Sequence, residues 1–251
     1  MAQKGYIGLA MEGPMATWYT KNTGRDLRRF IKVARAVARR VDPGGRVLEV
    51  APGPGFCAIE IARSGRYSVT GLDISRSFVR IARENAARAG VAVDFRHGNA
   101  SKMPLPDASF DFVVCSAAFK NFSNPIGALD EIHRVLAPGG QASIYDLRKD
   151  ASREEIATEV RNMHVSAMNA LLTRWTFRFV LLKRAYTRVA LEKMVAASRF
   201  GTCEIVVDGV GFELQLAKQS RAQASVRPSN IGVFAGEAGL LGACSGAQTR
   251  S

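Results

Sequence analysis

Two carboxylates and a glycine turn stand where a backbone bend would meet a ligand. Glu49 sits one residue before the end of an apolar run, Arg46 to Val50. Ala51-Pro52-Gly53-Pro54-Gly55 follows, and a helical pattern opens at Phe56. Asp73 ends the next apolar run, Tyr67 to Asp73. A strand that breaks at glycines and feeds a helix gathers backbone N–H groups and the helix's positive end at one point. The glycines present no Cβ, so a ligand can approach the backbone closely. An acid at the end of the second strand suits the hydroxyls of a ribose. The chemistry indicated is the binding of a small anionic or nucleotide-like molecule.

The elements that must hold these groups follow from periodicity. Strands are expected at Arg46 to Val50, Tyr67 to Asp73, Val91 to His97, Phe110 to Ser116 and Gln141 to Leu147. Helical patterns lie between them at Phe56 to Ser64, Ser75 to Ala89 (Ser75 as N-cap) and Pro125 to Leu136, the last closed by Ala137-Pro138-Gly139-Gly140. This alternation predicts βαβ units and a parallel sheet, and the near-continuous apolar strands fit a sheet covered on both faces. Asp26 to Arg40 spaces its apolar residues along one helical face. Residues 1 to 24 carry Gly5, Gly8, Gly13 and Pro14, which are expected to break any long helix. Ser152 to Ala185 reads as helical, with Leu172, Trp175, Phe179 and Leu182 on one face and Arg174, Arg178 and Arg184 on the other. Thr187 caps a helix from Arg188 to Ser198. Cys203 to Val207 and Phe212 to Leu216 form a hairpin about Asp208-Gly209-Val210-Gly211. From about Ser220 the chain is rich in Gly, Ala and Ser and reads as a flexible tail.

Length and charge set bounds on the partners. The 251 residues suffice for a sizeable core, and the formal net charge of +13 favours an anionic partner or simply a soluble basic surface. Cys57, Cys115, Cys203 and Cys244 lack paired metal-ligand spacing, so no metal is expected. Cys57 and Cys115 lie in apolar runs and read as buried free thiols, consistent with a cytoplasmic location. No secretory signal is visible, and no stretch approaches the ~20 apolar residues of a membrane span.

Two ligand classes use such a turn. Gly53-x-Gly55-x-x-Ala58 with Asp73 matches the dinucleotide fingerprint, so a nicotinamide-dependent oxidoreductase is one reading, although no catalytic Tyr-x-x-x-Lys pair is present. The second reading takes in more residues. Glu49 to Gly55, E-x-A-x-G-x-G, resembles the first motif of class I S-adenosylmethionine-dependent methyltransferases. Leu72 to Ser75 (LDIS) resembles the second motif, and Gly98 to Ala100 with Met103 to Cys115 the third and fourth. Ala128 to Gly140 (ALDEIHRVLAPGG) looks like the helix and turn before strand five in the small-molecule branch that includes ubiquinone and menaquinone biosynthesis methyltransferases.

The resemblance implies a Rossmann-like sheet of seven mostly parallel strands with an antiparallel last strand and helices on both faces. It implies a methyltransferase domain over 46–219, an N-terminal helical lid segment over 1–45, a lid insertion over about 152–200 and a tail over 220–251. It implies S-adenosyl-L-methionine as cofactor. Glu49 and the backbone at Ala51, Gly53 and Gly55 would hold the methionine part, and Asp73 both ribose hydroxyls. Ile74 would pack on adenine, Asn99 and Ala100 would meet its edge, and Ser116 would lie near the sulfonium. Two residues depart from the pattern: Ala51 replaces a glycine and Asn99 an aspartate. A non-catalytic cofactor-binding homologue has the same motifs. The competing structural readings are plain turn residues at Gly53 and Gly55, a helix cap at Asp73 and a loop residue at Asn99.

Methyl transfer is a direct displacement that needs alignment above all. No residue is singled out as an essential base. His97 and His133 read mainly as structural, His164 opens the lid, and Tyr19, Lys120 and Asn121 are candidates to line the pocket. The lid, Met163 to Tyr186 with Trp18 and Tyr19, is rich in Leu, Phe, Trp and Met, which suits a small apolar or aromatic acceptor or simply covers the sheet. The arginine stripe is read either as a contact for anionic lipid heads or as a solvated face. Nucleic acid is disfavoured as substrate. The basic residues are not interleaved with aromatics, and Cys115 to Phe119 (CSAAF) stands where amino-group nucleic-acid methylation places Asn/Asp-Pro-Pro-Tyr/Phe.

Overall fold

Strand β1 (Arg46–Val50) is buried along most of its length because it runs through the middle of the sheet, with Val47, Leu48 and Val50 fully covered. The computed structural model describes residues 5–7, 11–23, 28–162 and 182–220. β2 (Ser68–Asp73) and β4 (Phe110–Ser116) flank β1 in parallel, with Leu48 opposite Thr70 on one side and Val113 on the other. β3 (Asp94–His97) lies outside β2, and β5 (Leu136–Leu147) outside β4. β7 (Gly211–Ala217) runs antiparallel between β5 and β6 (Glu204–Asp208). The resulting order, β3-β2-β1-β4-β5-β7-β6, is the seven-stranded, mostly parallel sheet expected.

Alternate residues of each strand enter opposite cores, as the two-residue period requires. Leu48, Val113 and Cys115 join a core closed by α5 (Pro125–Val135) and α7 (Arg188–Ala196) through Leu129, Ile132, Leu191 and Val195. Val47, Phe112 and Val114 join the other, closed by α2 (Arg28–Ala38), α3 (Phe56–Ala62) and α4 (Arg76–Ala89) through Val37, Ile61 and Val79. The expected caps are in place: Ser75 Oγ accepts the Phe78 N–H (3.0 Å), and Thr187 Oγ1 that of Ala190 (3.2 Å). α6 (Arg153–Asn162) opens with a capping box between Ser152 and Glu155.

Three elements differ from expectation. Residues Gly13–Thr23 form a helix, α1, so the glycine and proline start it rather than break it. Proline suits a first helical turn, where no N–H is needed. The Gly13 N–H donates to Ser77 Oγ (2.9 Å), and the Glu12 carboxylate accepts the N–H groups of Arg76 and Ser77 (3.0 Å each). Trp18 and Tyr19 therefore lie on α1, with Tyr19 edge-on to Phe78. β3 begins at Asp94 rather than Val91. The turn at Ala137 to Gly140 is absorbed into β5 as an irregularity: pairing jumps from Phe110–Leu136 to Phe112–Gln141, with Gly139 at φ +82°.

Much of the expected lid, including Met163, His164, Leu172, Arg174, Trp175, Arg178 and Phe179, lies outside the described residues, as do Cys244 and all but the first residue of the tail. Arg184 is described, and its guanidinium donates to the Ile7 carbonyl (2.8 Å). No helix among the described residues is long and apolar enough to cross a membrane.

Candidate functional site

The order of strands reverses between β1 and β4, which opens a crevice at their carboxyl ends. The chain leaves both strands in strained fashion: Ala51 after β1 has φ +56° and Ala117 after β4 has φ +60°. Left-handed backbone at non-glycine residues is uncommon and clusters at sites held in place by their surroundings. The Ala51 N–H is fixed on the Leu72 carbonyl (2.8 Å) and that of Ala117 on the Tyr145 carbonyl (2.7 Å). The missing glycine at position 51 therefore shows as backbone strain. Ala51→Gly is expected to raise stability slightly, by about 0.5 kcal/mol, the left-handed relief exceeding glycine's extra entropy. Urea unfolding checks it, and a loss of stability would mean that the Ala51 methyl packing dominates.

The two glycines of the turn serve different ends. At Gly53 (φ +55°) nothing lies within 4 Å of where a Cβ would be, so its outer side is open. At Gly55 (φ +83°) a Cβ would meet Phe95 Cζ at 2.7 Å and Ala82 Cβ at 2.9 Å, so glycine is required for α3 to pack against β3 and α4. The Gly53 N–H donates to Asp73 Oδ2 (2.9 Å), and the Ser75 N–H to Asp73 Oδ1 (2.8 Å). Asp73 thereby ties the β1–α3 turn to the β2–α4 turn. Burial outweighs these two bonds and lifts its carboxyl to about 6.

Glu49 is only 2% exposed. The Ala58 N–H and the Cys57 thiol favour its ionised form, yet Oε2 has no hydrogen-bond partner among the described residues. Burial, aided by the charge of Asp73, pushes Glu49 up to about 8. A buried carboxylate oxygen without a partner is costly and unusual. Placed at the carboxyl end of β1 beside an open glycine, it fits a ligand cation, and the ammonium of a methionine-like group has the required charge and donors.

Ile74 presents a side chain 37% exposed, as an apolar platform for a base would. Its outer neighbour is the backbone of Gly5, where a Cβ would stand 2.4 Å from Ile74 Cδ1 and 2.7 Å from Asn99 Nδ2. Asn99 Oδ1 accepts the Ser101 N–H (2.9 Å), so the amide oxygen also serves its own turn. Ala100 packs against the core beside it, and Ser116 ends β4 opposite Tyr145, half-buried. The segment Gly5 to Ile7 roofs this edge. Tyr6 bridges Phe122, the Ile7 N–H donates to the Asn121 carbonyl (2.8 Å), and Arg184 holds the Ile7 carbonyl. The Tyr6 phenol feels Tyr19, Arg184 and Asp73, and burial raises it above its ordinary value. Tyr6 was not a sequence candidate, because nothing in its spacing marks it.

His97 is exposed, with Nε2 3.1 Å from the Ile74 carbonyl, and His133 packs edge-on against Phe200. Lys120, by contrast, lies at the edge, with Nζ 2.5 Å from Asp146 Oδ1. Two surface clefts among the described residues lie elsewhere, one by Glu154, Glu155 and Glu159 and one along the β2–β3 edge. Both are broad and open to solvent, whereas the carboxyl edge is roofed.

Comparison with known proteins agrees with this geometry. Residues 48–144 match the methyltransferase domain family. That stretch runs from β1 into β5 and takes in the glycine turn, Glu49 and Asp73; over it the chain is similar to S-adenosylmethionine-dependent methyltransferases, with a distant likeness to menaquinone methyltransferases. Over 108 residues, 43% of this chain and 45% of the relative, it is 38% identical to the demethylmenaquinone methyltransferase of Deinococcus radiodurans. Over 115 residues it is 36% identical to the ubiquinone/menaquinone biosynthesis C-methyltransferase of Hydrogenovibrio crunogenus, covering 43% of this chain and 44% of the relative. The match thus spans less than half the length of these curated relatives. A crystal structure from Methanococcus maripaludis shares the fold, with a TM-score of 0.67 at 18% identity over 88% of this chain and 98% of that one.

Proposed function

We propose that this chain is an S-adenosylmethionine-dependent methyltransferase acting on a small apolar or aromatic molecule. The observation that carries the reading is the partnerless Oε2 of Glu49, buried at the end of β1 and one strand away from Asp73. S-adenosylmethionine, when bound, supplies an electrophilic methyl group on a sulfonium. Glu49 accepts from the ligand's ammonium, and the open side of Gly53 gives the methionine part room. Asp73 uses its remaining lone pairs for the ribose hydroxyls, since its two oxygens each take only one backbone N–H. Ile74 and Ala100 line the adenine, and Asn99 meets its edge with the amide face that Ser101 leaves. Ser116 lies beside the sulfonium. The protein's part in the reaction is then alignment and exclusion of water by the roof of residues 5–7.

Behind the acceptor side the buried Phe119 and Phe122 meet edge-on at 5.6 Å between centroids, and the half-buried Tyr186 tilts against Phe119 at 6.0 Å. This aromatic cluster, together with relatives named for demethylmenaquinone, supports an apolar ring acceptor. We assign the methyltransferase domain to 46–219, its covers to 1–45 and about 152–200, and the tail to 220–251, in a protein working in the cytoplasm and meeting membrane surfaces peripherally. Incubation with methyl-labelled S-adenosylmethionine and separate extracts of small apolar metabolites, transfer RNA and DNA tests the reading. Label should enter the metabolite fraction alone. Label in nucleic acid, or in no fraction at all, would refute it.

A further inference from the structure

Main chain, not a side chain, closes the outer side of Ile74 and Asn99. A Cβ on Gly5 would stand 2.4 Å from Ile74 Cδ1, 2.7 Å from Asn99 Nδ2 and 2.9 Å from Asn99 Cγ. The Gly5 backbone therefore touches both side chains, and no third group fits between it and either of them. Residues this near a chain end stay ordered only where something ties them down. The Ile7 N–H donates to the Asn121 carbonyl (2.8 Å), and the Ser123 N–H to the Gly5 carbonyl (3.4 Å). Arg184, in the 3-10 turn Leu182–Arg184, donates to the Ile7 carbonyl (2.8 Å). The frame closes on itself, because Ser101 Oγ, in the turn that holds Asn99, donates to the Asn124 carbonyl (2.9 Å).

Apolar burial accounts poorly for this strap. Gly5 has no side chain, and Ile7 is 50% exposed. Beside it Ser123 Oγ is buried with no hydrogen-bond partner among the described residues. A buried hydroxyl left without a partner is unusual, and a polar group of a ligand would satisfy it.

We infer that the strap Gly5–Ile7 is the outer wall of the nucleobase pocket and sets which base the site accepts: an adenine whose exocyclic amine carries no substituent. This rests on the methyltransferase reading and deepens it. Asn99 meets the edge of the adenine, its amide oxygen accepting from the amine, and Gly5 abuts that same amide. A group added to the amine then runs into main chain. Backbone has no rotamer with which to swing aside, and three hydrogen bonds from two other segments hold it in place. A clash of this kind rejects an analogue through the added group alone.

Calorimetric titration of the full chain with S-adenosylhomocysteine and with its N6-benzyl derivative tests the wall. Wild type should bind the derivative about 100-fold more weakly. Ile7→Pro removes the N–H given to Asn121, and Arg184→Ala removes the donor to the Ile7 carbonyl. Each should loosen the strap and bring the two ligands within about fivefold of each other, while S-adenosylhomocysteine itself weakens by no more than about fivefold. Ile7 and Arg184 are exposed, so both variants should fold. Equal binding of the two ligands by wild type overturns the inference, and so does a preference kept in full by the loosened variants. Tighter binding of S-adenosylhomocysteine in those variants also overturns it, since the strap would then compete with the base instead of enclosing it. In each of these results the methyltransferase reading stands. Failure of wild type to bind S-adenosylhomocysteine overturns both.

Discussion

Glu49→Gln should stabilise the ligand-free protein at alkaline pH and, in the same variant, nearly abolish cofactor binding. The carboxyl of Glu49 is held at about 8 in the fold against an ordinary 4.5. Between those values the folded state keeps a proton that the unfolded state has lost, so stability falls as pH rises through the window. Glutamine has no such proton to lose. At pH 8 the ligand-free variant is therefore expected to be about 2–4 kcal/mol more stable than wild type, and about equal to it near pH 4. Urea titrations at the two pH values read this directly. Binding runs the other way. The ammonium of S-adenosylhomocysteine favours ionised Glu49, and without that charge affinity should fall about 100-fold. Between pH 6 and 8 wild-type affinity should climb by up to about tenfold per unit as binding has less proton to expel, while the variant stays flat. Unchanged affinity in Glu49→Gln would remove Glu49 from the site.

Asp73→Ala should lower both quantities together, because the same carboxylate serves the fold and the ligand. Its two oxygens hold the N–H groups of Gly53 and Ser75, one on each turn of the crevice. Losing both acceptors should cost about 2 kcal/mol of stability even after the relief of an acid buried at about 6. Affinity for S-adenosylhomocysteine should fall by about 100- to 1,000-fold, as expected for losing two hydroxyl bonds to a charged group and loosening the glycine turn. Asp73→Asn, which retains one acceptor oxygen, should fall between. Calorimetric titration beside urea unfolding separates the effects. A variant destabilised but binding normally would make Asp73 a turn brace and nothing more.

The contrast between these two acids bears on what can be read from residues alone. The strand–turn–helix at 46–62, the acid at 73 and the parallel βαβ alternation were legible because they rest on local periodicity and on glycines with one conformational use, whereas the seven strands and the antiparallel last one came only from the resemblance. The conflict at position 51 was visible as a departure, but its form was not: only the backbone shows that alanine carries a φ of +56° there. Helix α1 was missed because Gly13 and Pro14 read as breakers, whereas hydrogen bonds with Ser77 of α4, donated by the Gly13 N–H and accepted by Glu12, make them a start. Tyr6 has no signal in spacing, and Lys120 was a candidate to line the pocket without a partner to fix it. Their places come from contacts with Phe122 and Asp146, far along the chain, which no local pattern encodes. Asn99 illustrates the reverse case, a residue chosen from a motif whose oxygen is already engaged by its own turn.

The central claim is that the carboxyl edge between β1 and β4 binds the nucleoside of a methyl donor through Glu49 and Asp73. Parallel calorimetric titrations of the full chain with S-adenosylhomocysteine and with NADH test it most directly. One site for S-adenosylhomocysteine is expected, weakened by Glu49→Gln and by Asp73→Ala, with NADH giving no saturable heat. Saturable NADH binding with none for S-adenosylhomocysteine would contradict it.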